Sequence, residues 1–184
     1  SGTNVIFNYA EDIYRGAGYD LSGVMMNIVI TGAINLIFTL TATGLVDRIG
    51  RRTLMLWGSG GIAVLHIALG LAFFFGLKGP LVLALTLGVI AIYAMSLAPV
   101  TWVLLSEIFP NRIRGLAMSV AVSALWIACF AVTFTFPILN QRLGAAGTFW
   151  CYGVFCAIGF LFILRRVPET RGKSLEDIER ELAG

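Results

Sequence analysis

One long uncharged run of the chain passes into the next through the stretch Pro99-Val-Thr-Trp102-Val-Leu-Leu-Ser106-Glu107-Ile-Phe-Pro110-Asn-Arg112-Ile-Arg114-Gly115. Its first half is apolar and places a proline inside a helix-length run, where the missing N–H and the bulky ring favour a kink. Its second half brings an acid, a second proline and two arginines to the end of that run, as expected at a membrane boundary. The stretch therefore predicts a kinked membrane helix, a short polar loop and the start of another membrane helix.

The composition agrees with a membrane protein. Hydrophobic residues make up 58% of the 184 residues and charged residues 12%, whereas soluble domains average roughly 25% charged residues. The sequence contains no nucleophile–base pair, phosphate-binding loop or metal-ligand cluster, so we expect no enzyme activity, no cofactor, no metal and no nucleic-acid partner. Three cysteines in apolar runs lack metal-ligand spacing and are interpreted as packing residues; they are Cys129, Cys151 and Cys156.

Five uncharged runs are each long enough for a tilted transmembrane helix. An apolar piece of about ten residues precedes Glu11 and is too short to span a bilayer, so we expect the chain to begin inside a helix. The fold class predicted is therefore all-α, with six membrane segments in residues 1–166 of which the first is truncated. The five complete runs are residues 24–46, 53–77, 79–106, 115–141 and 143–164.

Basic residues predict the orientation of these segments. If neighbouring segments run antiparallel, ten of the 13 lysines and arginines fall on one side and only Arg15, Lys78 and Arg142 on the other. The side with ten is expected to be cytoplasmic and to include the C-terminal tail, residues 167–184. In that tail Ser174 is a candidate N-cap, and apolar residues at helical spacing predict a short amphipathic helix.

Polar residues inside the membrane runs admit two interpretations. Asn4 and Asn8 share one helical face, and Asn27, Thr31 and Asn35 share another. Such stripes either line a polar pathway or hold helices together. Two deep tryptophans pose the same choice between core packing and solute stacking, and the single histidine is interpreted as a satisfied or lipid-facing side chain; these residues are Trp102, Trp126 and His66.

Charged residues at the ends of the runs also have two interpretations. The arginines set the topology of the helices, or they pair with acids at other helix ends. Asp47, Glu107 and Glu169 are the acids placed to do so. A single exposed pair is worth about 0–1 kcal/mol, but several together are able to bias a two-state equilibrium of a few kcal/mol.

Four motifs, in order along nearly the whole chain, resemble the sugar-porter branch of the major facilitator superfamily. The stretch from Pro99 to Gly115 resembles its Pro-x-x-Trp…Pro-x-Arg-x-Arg-Gly signature, and Asp47-Arg-Ile-Gly-Arg-Arg52 resembles its cytoplasmic loop motif. Pro168-Glu-Thr-Arg-Gly172 resembles its Pro-Glu-Thr-Lys-Gly tail motif, and Gly2-Thr-Asn4 resembles the end of its seventh-helix Gln-Gln-x-x-Gly-x-Asn.

The resemblance implies that this is the C-terminal six-helix half of a twelve-helix transporter in a plasma or inner membrane. Its partners would then be the lipid bilayer, a missing N-terminal six-helix half and a small sugar or polyol solute. By motif position, the substrate-binding candidates are Asn4, Asn8, Asn35, Tyr93, Trp102 and Trp126. By the same match, the cytoplasmic charge network that stabilises the outward-facing state comprises Asp47, Arg51, Arg52, Glu107, Arg114 and Glu169.

The chain departs from the family pattern at several of these positions. Leu125 stands where a Gln or Asn often contacts sugar, Cys129 where an Asn is common, and Asn8 where a Tyr is expected. These changes remove hydrogen-bonding groups and favour a less polar polyol over a typical hexose or pentose. The function predicted is secondary transport of sugar-like solutes by alternating access, with or without proton coupling. The alternative is a non-transporting solute sensor or an orphan half that acts as an assembly partner.

Overall fold

The computed structural model describes residues 1–109 and 112–167, apart from the side chain of Asp47. The predicted tail helix and Glu169 therefore lie outside the described residues. Within them, all regular structure is α-helical. The helices are α1 Thr3–Asn8, α2 Ala10–Gly16, α3 Leu21–Ile49, α4 Arg51–Phe74, α5 Pro80–Met95, α6 Leu97–Ile108 and α7 Arg114–Arg166.

The first predicted segment is made of two short helices, α1 and α2, which meet at Tyr9, where the backbone leaves the helical region (φ −118°, ψ 28°). A tight connection follows, and Asp20 begins α3 by accepting a hydrogen bond from the Gly23 N–H at 3.0 Å. This is a standard N-cap contact, which satisfies one of the unpaired amides of the first turn. This contact fixes the residue at which α3 begins.

The interruption predicted around Pro99 is present but begins earlier. α5 ends at Met95 and α6 begins at Leu97, with Ser96 (φ −125°, ψ −81°) between them. Pro99 is the third residue of α6, where a helix needs no backbone N–H from it. The chain therefore breaks before the proline, and the proline lies in the first turn of the new helix.

α7 contains the last two predicted segments. A straight helix of its 53 residues would be about 80 Å long, far beyond a bilayer thickness of about 30 Å. The backbone instead reverses at Gly144 (φ 69°, ψ 175°), a conformation that favours glycine. The Tyr152 hydroxyl donates to the Val132 carbonyl at 3.4 Å, so the two arms lie side by side. We call residues 114–143 the first arm and residues 145–166 the second arm.

α4 is the central helix of the bundle and packs against α5 and the second arm. Its glycines permit this approach: a side chain at Gly70 would meet Trp150, and one at Gly58 would meet Ser96. His66 is fully buried, with Nδ1 3.1 Å from the Ile62 carbonyl and its ring stacked on Phe149 at 5.9 Å. The histidine is therefore part of the core.

The two ends of the bundle separate the charges as predicted. At one end, Arg52 donates to the Leu164 carbonyl at 2.7 Å and Arg51 pairs with Glu107. This contact set joins the α3–α4 turn, the end of α6 and the end of α7, and we call it the arginine-rich end. At the opposite end the Gly79 N–H donates to the Ala17 carbonyl at 2.9 Å. By length and apolar composition, α3, α4, α5–α6 and α7 qualify as membrane spans.

Candidate functional site

A cavity of about 290 Å³ lies where α1, the α5–α6 junction and the first arm meet. Its size is close to the lower end of the range of about 300–1,000 Å³ typical of small-molecule sites. Both the broken helix and the short α1 contribute to its wall. The lining residues are Ser1, Gly2, Asn4, Tyr93, Leu97, Thr101, Leu125, Ala128, Cys129 and Val132.

Helical spacing accounts for most of the wall. Leu125, Ala128, Cys129 and Val132 recur at three- and four-residue intervals and so form one face of the first arm. The start of α1 comes close to the second arm because Gly2 has a positive φ of 75°, and a Cβ there would lie 3.0 Å from the Tyr152 ring. The glycine therefore lets α1 reach the cavity without displacing this ring.

The cavity offers a small set of neutral polar groups. The Asn4 amide Nδ2 donates to Cys129 Sγ at 3.1 Å, which joins α1 to the first arm. The Thr101 hydroxyl donates to the Leu97 carbonyl at 2.6 Å, and Tyr93 adds a phenol. None of the ten lining side chains, all of them in the described part of the chain, is charged. An amide, a phenol and a hydroxyl beside aliphatic walls suit a neutral hydroxylated solute with apolar faces.

The structure brings only some of the predicted binding residues into this cavity. Asn4 and Tyr93 line it. Asn8 is exposed and donates through Nδ2 to the Asn4 carbonyl at 2.8 Å, so it contacts the site through the backbone of α1. Trp102 and Trp126 are 45% and 59% exposed, and each directly follows a lining residue in sequence.

Asn35, the remaining candidate, is half-buried on α3 and is not part of the cavity wall. The rest of its stripe has another role. Asn27 and Thr31 are buried; the Thr31 hydroxyl donates to the Asn27 carbonyl at 2.7 Å and is hydrogen-bonded to the Tyr14 hydroxyl. For Thr31 the structure supports the interpretation that polar groups hold helices together, here α2 against α3 through Tyr14.

Several lining residues were not singled out from the sequence. The wall also contains Leu97, Thr101, Ala128 and Val132. The side-chain types of these residues do not by themselves predict a binding role. The available signal was spacing: the last two lie three and seven residues after Leu125, on its helical face. Thr101 lies four residues after Leu97, which places both on one face of α6.

Part of the predicted charge network is visible at the arginine-rich end. Arg51 Nη2 lies 3.0 Å from Glu107 Oε1, and the two side chains are 14% and 24% exposed. Arg52 reaches the Leu164 carbonyl, and Arg114 Nε donates to the Phe109 carbonyl at 3.2 Å. These contacts connect α4 to α6, α4 to the second arm, and α6 to the first arm. The Asp47 side chain and Glu169 lie outside the described residues.

The family model for "Sugar (and other) transporter" matches residues 1–182. The chain belongs to this family. Its resemblance to the sugar-porter branch of the major facilitator superfamily is thereby confirmed, together with the all-α polytopic fold. The relatives are transporters and not enzymes, as the sequence predicted.

Curated relatives agree with the family assignment. The D-xylose-proton symporter of Escherichia coli (strain K12) is 40% identical over 97% of this chain and 38% of its own length. The glucose facilitated diffusion protein of Zymomonas mobilis is 38% identical over 97% of this chain and 39% of its own length. The chain thus spans about two fifths of the length of these relatives.

Solved structures give the same fold. The chain matches the proton:xylose symporter XylE bound to 6-bromo-6-deoxy-D-glucose with a TM-score of 0.88 and 39% identity, over 98% of this chain and 39% of that one. Against the inward open conformation of XylE from E. coli the TM-score is 0.80, with 38% identity over 98% of this chain and 42% of that one. By TM-score, the structure is therefore more similar to the sugar-bound XylE structure than to this inward open one.

Proposed function

We propose that the protein carrying this chain is a secondary transporter that moves sugars or sugar-like polyols by alternating access. The observation that carries the proposal is the uncharged cavity between α1, the α5–α6 junction and the first arm. Transporters of this general kind bind their solute at broken helices near the bilayer midplane, and both α1–α2 and α5–α6 are interrupted here. The family's transporters support the same activity.

In this proposal the solute lies in the cavity with its hydroxyls on Asn4 and Tyr93 and an apolar face toward Trp102 and Trp126. Neither indole lines the cavity; each follows a wall residue in sequence and is exposed, and this proposal places both at the rim of the cavity. Asn8 supports the position of α1 through its bond to the Asn4 carbonyl. Asn35 contacts the solute only if α3 moves toward the cavity during the cycle.

The walls also favour a particular kind of solute. Leu125 and Cys129 both line the cavity, and they supply fewer hydrogen bonds than the amides common at these positions in the family. A buried polar group without a partner costs about 1–3 kcal/mol, so a solute hydroxyl facing Leu125 would be disfavoured. We infer that the preferred solute has fewer hydroxyls on that side than a hexose.

We further propose that the arginine-rich end is cytoplasmic and forms the inner gate. The Arg51–Glu107 pair fastens α4 to α6 there, and Arg52 and Arg114 add bonds to neighbouring helix ends. Asp47 and Glu169 complete the network in this proposal. Breaking these contacts together would let the inner ends of the helices separate.

The first arm also needs a partner. Large apolar side chains of this arm are strongly exposed, among them Leu116, Val120, Ile127 and Phe130. Exposed apolar surface of this extent indicates a contact with lipid or protein. We propose that an N-terminal six-helix half covers part of the arm and closes the cavity, and that the lipid bilayer of the plasma or inner membrane covers the rest.

Uptake and binding by the full-length protein test the proposed function. A labelled panel of D-xylose, D-glucose and small polyols is measured in proteoliposomes, and affinity is measured by calorimetry. Trp102→Ala should weaken binding of the best solute by about tenfold, since an aromatic contact is worth about 1.5 kcal/mol. Phe155→Ala is the matched control, because this exposed aromatic lies on the second arm, away from the cavity. Binding without flux would favour a sensor, and unchanged affinity in Trp102→Ala would refute the site.

A further inference from the structure

A second concave surface lies along α4 and shares no lining residue with the solute cavity. It has a volume of about 490 Å³ and an almost entirely apolar lining. We call it the α4 groove. Its floor is α4, its flanks are α5 and the second arm, and it is lined by Leu56, Trp57, Gly60, Gly61, Val64, Leu65, Ile92 and Phe160.

Two glycines let the flanks of the groove come close to the α4 backbone. At Gly60 a Cβ would lie 3.3 Å from the Phe160 ring, and at Gly61 it would lie 3.0 Å from the Ile92 side chain. The flanking side chains therefore reach in over bare backbone, while Trp57 stands 75% exposed beside them. The result is an open apolar groove along the exposed face of α4, a surface on which a flexible apolar chain can lie.

The groove ends below a cluster of arginines. Arg52 lies one turn before Leu56 on α4, and its guanidinium bonds to the carbonyl of Leu164, one turn beyond Phe160 on the second arm. Arg165 and Arg166 follow directly and are exposed. Among the carboxylates that the structure describes, which do not include that of Asp47, none pairs with these three arginines. A cationic end above an apolar channel matches one class of amphiphile.

We propose that the α4 groove and this arginine cluster form a binding site for an anionic phospholipid. One acyl chain lies in the groove along Trp57, Gly60 and Phe160. The phosphate and an acidic headgroup lie against Arg52, Arg165 and Arg166. Basic pockets between transmembrane helices are known to favour anionic headgroups. The groove adds a defined binding surface for the acyl chain of the lipid. The α4 groove shares no lining residue with the solute cavity, and only Arg52 belongs also to the proposed inner gate, so lipid binding can be measured separately from solute binding.

Brominated phospholipids test this site through Trp57 itself. The full-length protein and its Trp57→Phe variant are reconstituted in vesicles, and the difference between their fluorescence reports Trp57 alone. Quenching is measured with brominated chains carried either by phosphatidylglycerol or by phosphatidylcholine. We expect the anionic lipid to reach Trp57 with an apparent affinity about tenfold or more above that of the zwitterionic lipid. Equal quenching by the two lipids would overturn the proposal.

Three variants separate the headgroup and chain contributions. The triple variant Arg52→Ala, Arg165→Ala, Arg166→Ala should abolish the preference for phosphatidylglycerol, whereas Lys78→Ala at the opposite end should retain it. Gly60→Leu should reduce quenching by both lipids, because the added side chain occupies the groove where the acyl chain lies. In the unmodified protein, about 1 M salt should reduce the preference, because the screening length falls to about 3 Å. Survival of the preference in the triple variant or in high salt would show a non-specific lipid contact.

Discussion

Glu107→Gln gives the sharpest test of the gate. In the structure Glu107 accepts from Arg51 at 3.0 Å, and both side chains are mostly buried. At this distance the attraction is about 5 kcal/mol at an effective dielectric constant of about 20, and desolvation of the two groups offsets much of it. Glutamine keeps an acceptor but loses the charge, which changes a charge-assisted hydrogen bond into a neutral one and costs about 1 kcal/mol.

That loss should raise the population of the state open at the arginine-rich end by about fivefold. The assay is the rate at which a membrane-impermeant maleimide, added on that side, labels position 101 in a Thr101→Cys, Cys129→Ser variant of the full-length protein, since Thr101 lines the cavity behind the gate and native Cys129 lies in the same cavity. Glu11→Gln is the matched control: it removes the exposed Glu11–Arg15 pair (2.8 Å) at the opposite end and should leave the rate unchanged. A labelling rate that Glu107→Gln leaves within twofold of the parent would refute the gate.

Two predictions concern packing and are checked by thermal unfolding in detergent. Gly58→Ala should destabilise the protein by about 1–3 kcal/mol, because the added methyl meets Ser96 at the α5–α6 junction. Gly32→Ala is the control, because a Cβ at Gly32 would have nothing within 4 Å. Equal unfolding midpoints for the two variants would contradict the packing. Thr31→Val should destabilise by about 1 kcal/mol because the buried Tyr14 hydroxyl loses its partner, and Tyr14→Phe should cost less when Thr31→Val is already present. Additive costs would show that the two hydroxyls are not coupled.

The helices and their ends were predictable because they depend on local chemistry. Uncharged runs of bilayer length located α3 and α4, and the distribution of arginines correctly grouped the turn at Gly50 with the ends of α6 and α7. The position of the α5–α6 break was not predictable from Pro99 alone. A proline is tolerated in the first turn of a helix. Its presence therefore indicates that a helix is interrupted nearby, but it does not identify the residue at which the break occurs.

The cavity was only partly predictable because its wall is largely aliphatic. Asn4 and Tyr93 stood out as polar groups within membrane runs, and both line it. Val132 and Ala128 are ordinary membrane residues, and only the approach of the first arm to α1 gives them a place in the wall. Thr31 shows the converse, because a polar residue in a stripe proved to be buried and hydrogen-bonded to Tyr14 of α2 instead of lining the cavity.

Site-resolved alkylation of Cys129 tests the central claim most directly. Cys129 lines the proposed solute cavity and accepts the Asn4 amide hydrogen bond, whereas Cys151 is comparably half-buried on the second arm, outside the cavity. The full-length protein is treated with a small maleimide, and each cysteine peptide is quantified by mass spectrometry with and without the tightest-binding solute of the panel. The account predicts that saturating solute slows modification of Cys129 several-fold and leaves Cys151 unchanged. An unchanged rate at Cys129, or equal slowing at both cysteines, would contradict it.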